Sequence, residues 1–296
     1  MTEFLQQLLN GLSLGAIYAL IALGYTMVYG VLRFINFAHA DVFMLGAFIG
    51  YYIGNHIPEG TIGGGLLVMA GAMIGCAVIG MLIERLVYRP LRSAPTLNVL
   101  ITAIGVSLLL EYSGQLFFGA APRTFPAIFP AANFRLGGLA ISSNQILVIG
   151  ITLVLLLALH FIVMKTKIGT AMRAVSLNPR AASLVGINND FIISFTFAVG
   201  SAMAGAGGVL YALNYPSIDP LMGVLPGLKA FVAAILGGIG NIPGAALGGL
   251  LLGTVETFVG GSAFSTYKDA IAFGILIVIL LFRPAGLLGK FTVEKV

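Results

Sequence analysis

The sequence predicts an all-α fold, a polytopic bundle of membrane helices with eight or nine membrane segments. Of its 296 residues, 59% are hydrophobic and 8% are charged, and the mean hydropathy is +1.05, so there is too little polar surface to coat a water-soluble globule. The apolar runs are continuous rather than alternating, which excludes a strand-based barrel. Forty glycines favour helices that approach one another closely in lipid.

Nine apolar stretches define the predicted membrane segments. A hydrocarbon core of ~30 Å requires about 20 helical residues at ~1.5 Å each. Glu3 rather than a basic region precedes the first stretch, so we expect a retained span and not a signal peptide. In chain order the segments are residues 4–32, a second that ends near residue 53, 62–83, 95–118, 143–164, 190–213, 223–239, 243–260 and 264–282.

The basic residues predict the orientation of the bundle. With the N-terminus outside, eleven of the fifteen Lys and Arg residues fall on the cytoplasmic side. Because cytoplasmic loops carry the excess of Lys and Arg, we expect the N-terminus outside and the C-terminus inside. The same bias accounts for the net charge of +5 without a nucleic-acid partner. The eleven residues are Arg33, Arg85, Arg89, Arg92, Lys165, Lys167, Arg173, Arg180, Arg283, Lys290 and Lys295.

The chain is predicted to form one transmembrane domain over residues 1–296, because its soluble parts are short. The longest external loop, 119–142, contains three prolines four residues apart, a spacing that opposes a regular helix. The longest internal loop, 165–189, carries several basic residues and is called the coupling loop below. Neither loop is long enough to be a separate soluble domain.

Residues 223–260 contain two short glycine-rich segments that meet at a break, Gly240–Pro243. They form either two thin spans or one re-entrant hairpin. Irregular backbone at membrane depth is tolerated only where it is buried in protein or lines a cavity, which makes Asn241 a candidate for the translocation path. Ionisable groups at this depth are expensive, so we expect Lys229 and Glu256 to pair with each other, to line the path, or both.

The stretch RFINFAHADVFMLG, residues 33–46, concentrates polar side chains between two apolar runs. The helix that follows begins either near Phe34, as a full span, or near Asn36, as a half-helix. His39 and Asp41 lie roughly 200° apart on a helix, so they do not converge as metal ligands. Asn36 can cap a helix start whose free N–H groups suit a carboxylate, which makes Asn36, His39 and Asp41 path candidates. Alternatively, these side chains satisfy one another inside the bundle.

The coupling loop contains the punctuation of a short helix over residues 179–185. Asn178 is suited to the N-cap, Pro179 to the first helical position and Gly186 to the position just past the end. The helix is apolar for a cytoplasmic loop, which suggests that it docks to a partner. The alternative is that it lies on its own bundle or on anionic lipid.

The spacing of the reactive residues does not fit any enzyme active site that we considered. The three histidines fall in different segments without metal-ligand spacing, and Ser201 lacks an identifiable base, so we predict no catalytic residue and no metal site. Cys76 is the single cysteine and has no disulfide partner. There is no Walker motif, and the glycines from 238 to 244 lie in an apolar segment, so no nucleotide site is expected.

Three blocks of the chain stand out in order: LNGLSLGAIYALIALGYTMVYGVLRFINFAHADVFMLGAF, NPRAASLVGI and KAFVAAILGGIGNIPGAALGGLLLG. Together they resemble the LivH-type permease subunits of bacterial branched-chain amino acid ABC importers. In that family an Asn-x-x-x-Ala-x-x-x-Gly-Ile pattern forms the element that seats in a groove of the ATPase subunit. The matching residues here are Asn178, Ala182, Gly186 and Ile187, with Pro179 after the first. Arg180 stands where an acidic or neutral residue is expected.

The resemblance implies a multi-pass subunit of the bacterial inner membrane. It pairs with a second, LivM-type permease, two ATPase subunits of the LivG and LivF types, and a periplasmic or lipid-anchored substrate-binding protein. ATP and Mg²⁺ then bind to the ATPase subunits, so this chain has no cofactor of its own and is not an enzyme. The implied cargo ranges over branched-chain amino acids, other amino acids and small amides.

A different class of protein remains open on the sequence, namely an autonomous secondary transporter or channel for a small polar solute. Such proteins carry binding sites at broken helices near the membrane midplane, and the break at Gly240–Pro243 is consistent with one. An autonomous carrier has no need for a capped apolar helix in a cytoplasmic loop. Association with an ATPase therefore discriminates between the two classes.

Overall fold

The computed structural model of the chain describes residues 2–92 and 94–289, and these residues are mostly helical, as predicted. Lys290 and Lys295, which count toward the predicted orientation, lie outside the described residues. The α-helices are α1 (Thr2–Leu32), α2 (His39–Gly54), α3 (Ile62–Ile83), α4 (Thr96–Phe118), α5 (Ser143–Lys165), α6 (Lys167–Leu177), α7 (Pro179–Leu184), α8 (Asn189–Asn214), α9 (Val224–Gly237), α10 (Ile242–Gly260) and α11 (Lys268–Phe282).

Within the described residues, seven helical segments are long and apolar enough to cross a membrane, so the chain is a multi-pass membrane protein. Helix α2 has 16 residues and α9 has 14, so at about 24 and 21 Å each is too short to cross alone. The seven are α1, α3 with a π-helical extension to Tyr88, α4, α5, α8, α10, and α11 with the short 3₁₀ turn before it.

Helix α1 lies at the centre of the bundle, between α8 and α10. Every one of its residues from Ser13 to Val28 is buried. Glycines make the closest approach: a Cβ on Gly15 would lie 2.7 Å from the Cα of Leu250 in α10. The two helices therefore pack backbone against backbone, which is the use that the glycine content predicts.

The predicted external loop, 119–142, folds over one end of the bundle without a helix, as its prolines predict. The strands here are β1 (Arg123–Thr124), β2 (Asn133–Leu136), β3 (Leu139–Ser142) and β4 (Ser217–Ile218). They form two antiparallel pairs, β1 with β4 and β2 with β3. The backbone N–H of Gly60, between α2 and α3, donates to the carbonyl of Ala127 at 2.9 Å, so the loop ties several helix ends together.

The connection between α1 and α2 differs from both predicted arrangements. Helix α2 begins at His39, so the predicted starts near Phe34 and near Asn36 are both too early. Asn36 does not cap the helix, because its Oδ1 accepts a hydrogen bond from the hydroxyl of Tyr88 at 2.6 Å. Ala38 is the N-cap and supplies no side-chain hydrogen bond. Residues 33–38 are therefore a non-helical break held by side chains from other elements.

The coupling loop contains two short helices rather than one. Helix α7 matches the predicted capped helix but ends at Leu184 instead of Val185, because Val185 has already left the helical conformation with a ψ of 15°. Helix α6 buries Met172 and Val175 against the bundle. The Ser176 hydroxyl of α6 donates to the backbone carbonyl of Gly30 in α1. The loop is thus attached to the central helix on one side.

Candidate functional site

The N-terminus of α7 is capped as its sequence predicts. The Oδ1 of Asn178 accepts a hydrogen bond from the backbone N–H of Ala181 at 3.1 Å. Pro179 occupies the first helical turn, where its missing N–H has no intrahelical role. The helix has six residues, about 9 Å, which is too short to be stable alone and makes it dependent on its caps and its packing.

The C-terminus of α7 ends in a Schellman motif. Gly186 has a φ of 86°, in the left-handed region that favours glycine. Its N–H donates to the carbonyl of Ser183 at 3.1 Å, and the N–H of Ile187 donates to the carbonyl of Ala182 at 3.1 Å. The Asn-x-x-x-Ala-x-x-x-Gly-Ile pattern therefore specifies an N-cap, a buried contact, a left-handed turn and the residue that closes it.

The outer face of the coupling loop is apolar and exposed. Leu177, Leu184 and Val185 are 81%, 88% and 77% exposed, whereas Ala182 on the opposite face is 3% exposed. Burying one such side chain contributes about 1.5–3 kcal/mol. Helix α7 thus rests on its own bundle through Ala182 and presents an apolar tip that the described residues leave uncovered.

An ion-pair network that was not predicted from the sequence fixes the other end of the coupling loop. Arg92 pairs with Glu84, which is fully buried, and with Asp190 in the first turn of α8, where the Nη1–Oδ1 distance is 2.6 Å. Arg89 also pairs with Asp190, and the Ser194 hydroxyl donates to Glu84 Oε2 at 2.5 Å. The sequence offered one hint, a carboxylate at the end of an apolar run. A partner about a hundred residues away cannot be inferred from spacing.

Lys229 of α9 and Glu256 of α10 form the predicted ion pair, with an Nζ–Oε1 distance of 2.6 Å. The network extends further than predicted. Nζ also lies 2.6 Å from Oδ1 of Asp269 at the start of α11, and the Tyr18 hydroxyl of α1 donates to Glu256 Oε2 at 2.8 Å. Several partners offset the desolvation of buried charges that a single pair offsets poorly. Four helices meet at this network.

Two of the predicted path residues line cavities at opposite ends of α10. Asn241, the N-cap of α10, lines a cavity of about 630 Å³ together with residues of α1, α5 and α6. Glu256 lines a separate cavity of about 250 Å³, with Tyr215 and Lys268. The two residues lie about 22 Å apart along the helix axis. They therefore do not form one site.

Asn36, His39 and Asp41 are all buried, and their side chains contact different elements. The Ser107 hydroxyl of α4 donates to Asp41 Oδ2 at 2.5 Å, while the imidazole of His39 fills the space beside Gly24 of α1. His39 and Asp41 therefore point to different neighbours, as their helical spacing predicts. The three side chains are held by α1, α4 and the π-helical turn rather than by one another.

The N-terminus of α2 already has a carboxylate beside it. Asp41 lies in the first turn, where the helix dipole favours a negative charge. The sequence predicts an incoming carboxylate at this place, because free N–H groups at a helix start bind anions. The chain's own aspartate meets the same electrostatic preference, which weakens the case for a ligand at this helix end.

Comparisons with known proteins agree on one family. The profile described as "Branched-chain amino acid transport system / permease component" matches residues 7–280. The chain is 43% identical to the high-affinity branched-chain amino acid transport system permease protein BraD of Pseudomonas aeruginosa, over 99% of this chain and 98% of the relative. It is 41% identical to LivH of Escherichia coli K12 with the same coverage. A probable LivH of Methanocaldococcus jannaschii is 30% identical over 91% of this chain and 88% of that relative.

Proposed function

The chain belongs to the family of branched-chain amino acid transport system permease components, and we propose that it is the membrane-spanning permease subunit of an ATP-driven ABC importer. Its cargo is a branched-chain amino acid delivered by a substrate-binding protein. The observation that carries the proposal is α7, a short helix capped at both ends that holds an uncovered apolar tip on the coupling loop. An ATPase subunit is the partner that this tip fits.

The proposed assembly contains a second, LivM-type permease, two ATPase subunits of the LivG and LivF types, and a periplasmic or lipid-anchored binding protein. The assembly lies in the bacterial inner membrane. ATP and Mg²⁺ bind to the ATPase subunits, and this chain contributes a path and a lever rather than a cofactor site. Residues 1–296 act as one permease domain.

We propose nine membrane segments, with the N-terminus outside and the C-terminus inside. Two contacts support two thin spans over a re-entrant hairpin in residues 223–260. Strand β4, before α9, pairs with β1 of the external loop, while Gly240, after α9, faces Gly30 at the far end of α1. A segment that connects opposite ends of α1 crosses the bundle, although its helical part is only 14 residues long.

The proposed lever runs from α7 to the glycine-rich segments. Closure of the ATPases displaces the coupling loop, which is tied to α1 through Ser176 and to residues 84–92 through Asp190. Helix α1 packs directly on α10 at Gly15, so motion of α1 reaches α9 and α10. Lys229, Asn241 and Glu256 flank the proposed path there. Asn36, His39 and Asp41 are proposed to border it from the break before α2.

Co-purification tests the proposal. The tagged chain is expressed with its chromosomal neighbours and purified from membranes, and we expect an ATPase subunit in stoichiometric amount. Recovery of the chain without any ATPase would favour the alternative, an autonomous secondary transporter or channel for a small polar solute, whose broken helices would then be the α9–α10 break. Uptake of labelled leucine that persists without ATP would favour the same alternative.

A further inference from the structure

The cavity of about 630 Å³ beside the start of α10 carries basic side chains that the proposed function does not use. Arg33 at the end of α1, His160 of α5 and Arg173 of α6 line it, and Ser176 and Asn241 add a hydroxyl and an amide. In the described part of the chain, its lining contains no aspartate or glutamate. Two permanent positive charges without a carboxylate suit an anion.

The two arginines are not committed to carboxylates of this chain. The ion pairs within the described residues engage other basic side chains, and Arg173 contacts only the neutral Thr170 hydroxyl at 3.3 Å and Met164 Sδ at 3.7 Å. Arg33 has a φ of 56°. Within residues 2–92 and 94–289 it is the one non-glycine residue with a positive φ. Strain of this kind persists where surroundings enforce it, commonly at functional sites.

The rest of the lining is apolar, so the cavity suits an amphipathic ligand. Met164 is 43% exposed on α5, at the end of a membrane helix. Basic pockets between membrane helices on the cytoplasmic side bind acidic lipid headgroups. We propose that this cavity binds the phosphate of an anionic phospholipid, with its acyl chains against the apolar wall. The apolar lining residues are Val163, Met164, Ile239, Ile242 and Pro243.

A lipid at this place would link the coupling loop to the membrane. Its phosphate would contact Arg33, the residue that follows α1, and Arg173 on α6, and α6 leads directly into α7. The same two helices are already joined by the hydrogen bond from Ser176 to Gly30. The headgroup would therefore hold α6 against α1 and steady the platform from which α7 projects. The cytoplasmic location rests on the proposed orientation.

Thermal stability of the purified chain in mixed micelles tests the proposal. Phosphatidylglycerol and phosphatidylcholine are titrated separately, and inorganic phosphate is titrated without lipid. We expect phosphatidylglycerol to raise the melting temperature at concentrations where phosphatidylcholine does not. The double variant Arg33→Gln/Arg173→Gln should need about thirtyfold more phosphatidylglycerol for the same shift, because each basic residue near an anionic surface contributes roughly a factor of five.

Two further variants keep the test decisive. Arg33→Lys/Arg173→Lys retains the charge and should stay within about threefold of the parent. Arg135→Gln/Lys268→Gln removes two exposed basic residues elsewhere and should bind like the parent. Equal stabilisation by both lipids, or an equal loss of phosphatidylglycerol binding in the two double glutamine variants, would overturn the proposal. Stabilisation by inorganic phosphate but not by phosphatidylglycerol would show that the ligand is not a lipid. None of these results depends on ATPase binding, so the proposed function is tested separately.

Discussion

The coupling loop and the membrane interior invert the usual distribution of polarity. In the loop, Leu184 of α7 is 88% exposed, whereas Glu256 and Asp41, inside the helix bundle, are 7% and 1% exposed. Each buried carboxylate has partners within the chain, Lys229 and Tyr18 for one and Ser107 for the other. The apolar tip of α7 has none among the described residues.

This difference separates two kinds of unusual residue. A charge in the core is expensive, so the fold must provide a partner for it, and finding the partner explains the residue without a ligand. The exposed side chain of Leu184 has no such partner among the residues that the structure describes. The exposed tip is therefore the stronger indicator of an external partner, and the buried polar groups report first on how the bundle is held together.

The largest expected effect comes from breaking the buried network. Lys229→Met leaves Glu256 and Asp269 without their shared cation, and removing one partner of a buried pair costs about 3–5 kcal/mol. We expect the melting temperature of the purified chain to fall by roughly 10 °C. Lys268→Met, an exposed neighbour, should change it little. A Lys229→Met protein as stable as the parent would show that the network does not stabilise the bundle.

A charge at the apolar tip should act on association instead of stability. Leu184→Asp removes a side chain whose burial contributes about 1.5–3 kcal/mol, so the ATPase dissociation constant should rise about tenfold or more. The melting temperature of the isolated chain should not change, because Leu184 is exposed. Phe134→Asp on the β2–β3 hairpin, 53% exposed, is the matched control. Equal weakening by both substitutions would argue against docking at α7.

The hydrogen bond at the break before α2 tests, with a smaller expected effect, whether the buried polar groups stabilise the bundle. Tyr88→Phe leaves Asn36 Oδ1 buried without its donor, which costs about 1–3 kcal/mol. Stability should fall while ATPase association stays unchanged. Tyr112→Phe, at a side chain that is 63% exposed, should have no measurable effect on either quantity. If Tyr88→Phe lowers leucine uptake at full stability and expression, Asn36 has a role in the path beyond support.

The smallest expected effect concerns the shape of α7. Gly186→Ala introduces a Cβ at a φ of 86°, with open space around it, so the cost is conformational, about 1–2 kcal/mol. ATPase affinity should fall less than in Leu184→Asp. Gly150→Ala in α5, also in open space but helical, should be neutral or slightly stabilising. An unchanged affinity in Gly186→Ala would mean that the Schellman turn is not required for docking.

Local chemistry determined which features could be predicted from the sequence. The caps Asn178 and Gly186 act within a few residues of themselves, so α7 was predicted to within one residue. The pairing of Lys229 with Glu256 was predictable because the two residues lie in consecutive membrane segments. Asp269 also pairs with Lys229, but it lies on α11, and residue spacing alone does not predict how α11 packs against α9.

The failures share a cause, which is competition from distant residues. Asn36 has the chemistry of an N-cap, but Tyr88, more than fifty positions away, takes its side chain. The helix therefore begins at His39 without a side-chain cap. Arg92 was likewise predicted only as one of the cytoplasmic charges, whereas in the fold it pairs with Glu84 and Asp190.

Photo-cross-linking at residue 184 tests the central claim most directly. A photoreactive phenylalanine analogue replaces Leu184 in one variant and Phe134 in another, and each is irradiated in membranes that contain the chromosomal neighbours. We predict that the 184 variant forms one prominent adduct, identified by mass spectrometry as an ATPase subunit, and that the 134 variant does not. Adducts from position 184 only to lipid or to this chain itself would contradict the assignment of α7 as the ATPase-docking helix.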